Sequence, residues 1–459
     1  MPSITMTTED SAAALVVLYA LGALGGYGIS WIKSHIRLRN PRHQLILENI
    51  EVPPLVGMLL FGLFAGLTLP SVVHSFDHQW SLYVRTGAQV LVLLRCGLSL
   101  RLGEISYEAA SFALWPQLLE AVMDTLLAYW VLDLPFPLAI ATGVLVSSIA
   151  PALVIPLCMR LQAHGYGQSK QIQELVMGAT ACDHLFALVS NSHTAFALLA
   201  SLALCPLAGQ SELMAAGIVA CGVPLGLIVG LGLSLIRCLH WVVYLLCLLT
   251  MSLGAILLSQ MYFTPGLGYL AVLVAAGVSG RSRAPYEQKL AAMVLLTAWK
   301  VLEVILFSLA GAALVDQTYF AWIWQSAALA VLGIAAKATA AFLLNNDKRL
   351  TGKERIYCAL SRLPKATMQA ALAGVFLAAG LSASHPGYTE WGHRIMALAT
   401  LSILFAAPIS NLLSAIAPRL LPSDLPLLYS STSLKPMHIP TPLMRMRQAF
   451  SQQKQFLSS

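Results

Sequence analysis

Two adjacent ionisable residues, Asp183 and His184, lie in the middle of an otherwise apolar helical stretch at residues 174–194 (ELVMGATACDHLFALVSNSHT). A charged carboxylate at the centre of a membrane span costs at least about 2.5–3.5 kcal/mol. A chain carries such a group when it handles an ion or a proton, or when a basic partner neutralises it for assembly. Because imidazole titrates near neutral pH, this acid and imidazole together predict an ion- and proton-binding site.

Further ionisable residues fall inside other apolar stretches. Glu120 and Asp124, in LLEAVMDTLLAYW, are four residues apart and therefore share one helical face. Lys337, in LGIAAKATAAFLL, has no counter-charge within reach on its own helix, and Lys365 lies in LSRLPKATMQ. We expect Glu120 or Asp183 to pair with Lys337 or Lys365, and the sequence leaves open which acid meets which base.

The composition identifies the kind of protein that carries these groups. Of 459 residues, 58% are hydrophobic and only 10% are charged, and the mean hydropathy is +0.75. Soluble proteins carry about 25% charged residues, and a soluble fold of this composition would expose large apolar patches. We therefore predict an all-α polytopic membrane protein that is not an enzyme and needs no cofactor. It has one transmembrane unit, residues 1–421, and a disordered cytoplasmic tail, residues 422–459.

A membrane-spanning helix needs about 20 mostly apolar residues, and about thirteen stretches qualify. They are residues 11–32, 53–71, 84–100, 108–132, 135–158, 172–204, 211–236, 239–260, 264–280, 289–315, 319–344, 355–380 and 394–417. Only 172–204 is long enough to be divided into two spans.

Charge decides how that stretch is counted. If residues 172–204 form one span, the loops rich in Lys and Arg all fall on the same side of the membrane. Basic loops prefer the cytoplasm, which predicts an outside N-terminus and a cytoplasmic C-terminus. The net charge of +7 therefore sets topology and does not suggest binding to nucleic acid.

Proline interrupts two of the spans at matching places. Pro151 lies in SSIAPALVIP of the fifth span and Pro364 in the twelfth. Proline removes a backbone donor and breaks a helix. Two interrupted spans, seven apart and hence opposite in orientation, are typical of an inverted-repeat transporter with its site near the midplane.

Several motifs together resemble the cation/proton antiporter superfamily, and most of all its NHA-type sodium/hydrogen exchangers. The similarity runs from about residue 52 to residue 421. Its motifs are PPLVGMLLFG, LRCGLSL, LLEA, APALVIP followed by HGYG, MGATACDHLFAL, LPKATMQAAL and LSILFAAPISNLLSAIAPRLL.

This resemblance implies a dimerisation scaffold and a core built on two crossed, discontinuous helices, broken at Pro151 and Pro364. It implies a homodimer in the lipid bilayer that exchanges Na⁺ or Li⁺ for H⁺ by alternating access. The family's paired residues, most often Asp-Asp or Asn-Asp, fall on Asp183 and His184.

The family's supporting charges fall on Glu120, Lys337 and Lys365.

The sequence departs from the family at three of its positions. His184 replaces the ion-carrying aspartate, Ala150 replaces a Ser or Thr, and Lys300 replaces an acid, although Lys300 could also pair with Glu303 on its own helix. Each change removes oxygen ligands or negative charge, and hard cations want oxygen. The leading hypothesis is a proton-coupled Na⁺/Li⁺ antiporter with Asp183 as its titratable site. The alternatives are a transport-inactive regulatory or scaffold homologue and a proton-linked carrier of another solute.

Overall fold

A computed structural model describes residues 8–28, 54–70, 78–99, 107–163, 166–189, 192–236, 240–315, 321–344 and 349–422. Within these ranges the regular secondary structure is helical, as the composition predicts. The predicted tail lies outside the described residues except for Pro422, whose carbonyl accepts a hydrogen bond from the Gly167 amide at 3.0 Å.

The described part of the first half of the chain forms the helices α1 to α10. They are α1 (Thr8–Ala23, continued by a π turn at Leu24–Gly28), α2 (Pro54–Thr68), α3 (His78–Ser99), α4 (Tyr107–Val131), α5 (Phe136–Ser147), α6 (Pro151–Ala163), α7 (Ile172–Val189), α8 (Ser192–Leu204), α9 (Glu212–Ala220) and α10 (Gly222–Leu235).

The described part of the second half contains four helices of at least 21 residues and a second region of short ones. These elements are α11 (Trp241–Met261), α12 (Pro265–Arg281), α13 (Pro285–Ala313), α14 (Ile323–Leu343), α15 (Gly352–Ser361), α16 (Thr367–Leu372), α17 (Val375–Ser382), α18 (Pro386–Ala406) and α19 (Ile409–Leu420).

Five helical stretches in the described part of the chain are long and apolar enough to cross a membrane on their own. They are Ser11–Gly28, Glu212–Leu235, Trp241–Met261, Tyr286–Ala313 and Ile323–Leu343. The other predicted spans coincide with helices that are shorter, interrupted or charged, such as α4 with Glu120 and Asp124. The long stretch at residues 172–204 comprises α7 and α8, and residues 190–191 between them lie outside the described ranges.

The two predicted helix breaks are present and touch each other. Residues 148–150 between α5 and α6, and residues 362–366 between α15 and α16, are not helical. The Ala150 amide donates to the Pro364 carbonyl at 2.9 Å. Gln369 also donates to the Ser148 carbonyl at 2.8 Å. Backbone groups released by one break are thus satisfied by the other, as buried polar groups require.

The helices pack in two groups around these breaks. In one group, α4 packs along α5, α7 and α14, and α14 also contacts α15 and α18. In the other, α13 packs on α1, α2 and α3, and α12 packs on α3, α10 and α11. The α2–α13 contact is close, because a Cβ on Gly62 would lie 2.1 Å from the Ser308 carbonyl oxygen. Small residues allow this approach of two membrane helices.

Candidate ion-binding site

Three charged side chains from separate parts of the chain meet in the protein interior. Glu120 projects from α4, Lys337 from α14, and Lys365 from the break between α15 and α16. The Glu120 carboxylate lies 2.7 Å from the Lys337 ammonium and 2.5 Å from that of Lys365. All three side chains are fully buried. A buried charge is tolerated only with such partners, so Glu120 is the shared anion of two lysines.

The position of Lys337 follows from the proline that breaks the first discontinuous helix. Pro151 has no amide hydrogen, so in a continuous helix it could not donate to the carbonyl of Ser147, four residues before it. Lys337 donates a hydrogen bond to that same carbonyl. The lysine therefore connects the C-terminal end of α5 with the Glu120 carboxylate, and the helix break creates the acceptor that the lysine uses.

The second break directs the side chains of Lys365 and Arg362 to different contacts. Lys365 turns toward Glu120, whereas Arg362 donates to the Ala113 carbonyl at 3.3 Å and lies over the ring of Phe112. Both side chains are fully buried. Both residues flank Pro364 in the sequence, but only the fold separates their roles.

Side chains of α3 also reach the second discontinuous helix, which the sequence did not predict. Arg85 donates to the Ala370 carbonyl at 2.9 Å, and Gln89 donates to that of Ala371 at 3.1 Å. These bonds satisfy backbone groups of the short helix α16. The visible signal was only that Arg85 and Gln89 are polar residues four apart in an apolar stretch.

Comparisons with known proteins identify the family of this chain. A sequence model described as the transmembrane sodium/hydrogen exchanger family matches residues 41–415. The chain belongs to the sodium/hydrogen exchanger family. The predicted placement among the NHA-type cation/proton antiporters is confirmed, and the protein is an integral, multi-pass membrane protein of a transporter family.

Relatives and solved structures extend the match over most of this exchanger. Sodium/hydrogen exchanger 9B2 of Mus musculus is 29% identical over 81% of this chain and 69% of its own length. Sodium/hydrogen exchanger 9B1 of Homo sapiens is 29% identical over 81% and 73%. The sodium proton antiporter MjNhaP1 of Methanocaldococcus jannaschii superposes with a TM-score of 0.64 at 16% identity, over 88% of this chain and 100% of that one. The last similarity concerns the fold.

Asp183 and His184 lie on α7 of this exchanger, and the backbone there is helical. α7 packs against α4, the helix that carries Glu120. The side chains of Asp183 and His184 lie outside the described part of the structure, so their role stays a prediction. The sequence left open which acid pairs with Lys337 and which with Lys365, and in the structure Glu120 contacts both lysines.

Lys300 lies elsewhere in the fold of this exchanger. It forms an ion pair with Glu303, three residues along α13, at 2.7 Å, and its side chain is 48% exposed. Of the two interpretations that the sequence left open, the structure shows the pair within one helix.

Asp124 is the buried acid to which the sequence analysis gave no role. It lies one turn along α4 from Glu120 and is fully enclosed by protein. Its spacing from Glu120 was visible in the sequence, but its surroundings depend on how α14 packs against α4.

Proposed function

We propose that this exchanger is a proton-coupled antiporter of monovalent cations, Na⁺ or Li⁺, that works by alternating access with Asp183 as its titratable site. The observation that carries the proposal is the buried group of Glu120, Lys337 and Lys365 at the contact of two broken helices. Such fixed charges at a helix interruption supply the polar environment that an ion needs within the membrane. Family membership supports cation and proton as the exchanged pair.

The exchange follows from competition at one carboxylate. A buried carboxylate binds either a proton or a cation, and each loaded form favours the movement that carries the site to the other side. His184, when protonated, adds a positive charge beside Asp183. It would therefore weaken cation binding at low pH and leave it strong at high pH.

The membrane arrangement is also proposed. It comprises about thirteen spans, two crossed discontinuous helices at Pro151 and Pro364, an outside N-terminus and a cytoplasmic tail at residues 422–459. The basic loops support the orientation. The two packing groups of helices support a division into scaffold and core, with the scaffold as the surface for a homodimer.

Two alternatives remain as hypotheses. A transport-inactive regulatory or scaffold homologue is favoured by His184, because imidazole nitrogen is a poor ligand for a hard cation. A proton-linked carrier of another solute, such as an anion, would use the added positive charges. Lys300 supports that carrier less, because Glu303 neutralises it.

Flux through proteoliposomes with an internal pH dye tests the proposal. Na⁺ or Li⁺ gradients should change the internal pH, and Asp183→Asn should abolish the change. We also predict that His184→Asp raises the apparent Na⁺ affinity, because it restores a carboxylate ligand. An absent response to monovalent cations, even in His184→Asp, would favour the inactive homologue, and proton flux that depends on chloride or organic anions would favour the anion carrier.

A further inference from the structure

Asp124 is a buried carboxylate whose oxygens are left open. Its side chain is 1% exposed, and neither oxygen has a hydrogen-bond partner among the described residues. Glu120, one turn away, differs because two lysine ammonium groups hold its oxygens at 2.7 and 2.5 Å. An ionised carboxylate without partners is costly in protein, so Asp124 is stable when it holds a proton or a cation.

A glycine on the facing helix makes room for this carboxylate. A Cβ at Gly333 of α14 would lie 2.2 Å from Asp124 Oδ1 and 3.1 Å from Oδ2. The carboxylate therefore rests directly on the α14 backbone. Lys337 lies one turn further along the same helix, opposite Glu120, so the α4–α14 contact presents two carboxylates in different environments.

Several charged groups act on Asp124 electrostatically without forming a hydrogen bond to its oxygens. Glu120 on its own helix, Lys337 on α14 and Lys365 in the break all act on it electrostatically. α5 carries no ionisable residue, and α7 carries Glu174, Asp183 and His184, of which the side chains of Asp183 and His184 lie outside the described part of the structure. Glu120 and the two lysines together carry one surplus positive charge, which an ionised Asp124 balances. A proton and a monovalent cation would both bind the Asp124 oxygens, so the two ligands compete for the same site.

We propose that Asp124 is an exchangeable carboxylate of the transport site, which binds a monovalent cation or a proton through the oxygens that face Gly333. It supplies from α4 the oxygen ligand that His184 does not supply from α7. The proposal rests on the antiport function proposed above and adds a second acid to it. Each transported cation displaces the proton of Asp124 in addition to that of Asp183.

Asp124→Asn in the full-length exchanger tests this assignment, with the same proteoliposomes and with Na⁺ and Li⁺ as probes. The apparent cation affinity is measured over a series of pH values. For each proton that the cation displaces, the affinity falls about tenfold per pH unit below the pKa of the acid. Asp124→Asn should remove one such proton from this dependence or abolish exchange. Glu212→Gln, which changes an exposed acid on α9, is the control and should leave the affinity and its pH dependence unchanged.

The two proposals fail in different ways. If Asp124→Asn retains the affinity and pH dependence of the parent while Asp183→Asn abolishes exchange, the role of Asp124 is refuted and the antiport proposal stands. If Asp124→Asn abolishes exchange while Asp183→Asn exchanges normally, Asp124 is the carrier and the assignment to Asp183 is wrong. If the parent chain shows neither cation flux nor stabilisation by Na⁺ or Li⁺ in detergent, both are refuted.

A second variant keeps the charge and moves the carboxylate. Gly333→Ala places a methyl group where Asp124 Oδ1 lies, so it should weaken the apparent Na⁺ affinity about tenfold or more while proton competition persists. Gly254→Ala on α11, where nothing lies within 4 Å of the added Cβ, is the matched control. Equal Na⁺ affinity in these two variants would contradict the proposed contact, even if Asp124→Asn does not fold.

Discussion

Removal of the Glu120 carboxylate should destabilise the protein more than removal of either lysine that shares it. At an effective dielectric constant of about 20, charges separated by 2.5–2.7 Å interact by roughly 6 kcal/mol each. Much of that attraction offsets the cost of burying the charges, so the measured loss on breaking a buried pair is about 3–5 kcal/mol. Glu120→Gln should reach at least this range, because both lysines lose the same partner. Lys365→Met should cost less, because Glu120 keeps Lys337.

Denaturation in mixed detergent micelles measures this order, with the free energy of unfolding compared between variants. Glu303→Gln is the matched control, because its partner Lys300 is half-exposed and such pairs contribute about 1 kcal/mol or less. A loss for Glu120→Gln no larger than that of Glu303→Gln would refute the reasoning. So would a larger loss for Lys365→Met than for Glu120→Gln.

Two further predictions concern positions away from this group. Glu354 precedes the predicted span at residues 355–380. Burial raises its pKa, but hydrogen bonds from Lys170 and from the helix N-cap outweigh this effect, and the pKa lies below its ordinary value of 4.5. The stabilisation is therefore complete above pH 4.5 and is lost as the pH falls through the lower pKa of the folded protein, so the stability difference between the parent and Lys170→Met should vanish there. A difference that stays constant in acid would contradict this. Gly311→Ala should lower the thermal stability, since the added Cβ would lie 2.0 Å from the Leu59 carbonyl oxygen, whereas Gly254→Ala should not; equal melting temperatures would refute the contact.

The sequence predicted those features of the site that local chemistry determines. Pro151 and Pro364 indicated two breaks, because proline lacks the amide hydrogen that a helix needs, whatever that helix packs against. Lys337 had no counter-charge on its own helix, which required a partner from another one. The partner itself was left open between Glu120 and Asp183, because that choice depends on how far one helix is shifted along the other. No residue pattern within a single helix records that shift.

The position of α14 along α4 also gives Glu120 and Asp124 different environments, although both residues lie on one face of α4. Opposite Glu120, α14 presents Lys337, and opposite Asp124 it presents Gly333. A shift of α14 by one turn that placed Lys337 opposite Asp124 would leave Glu120 with Lys365 alone. That shift would break a hydrogen bond, because Lys337 also donates to the Ser147 carbonyl that Pro151 leaves without an amide donor. The proline in one discontinuous helix thus fixes the position of Lys337, and Lys337 in turn determines which of the two acids is neutralised and which keeps its oxygens open.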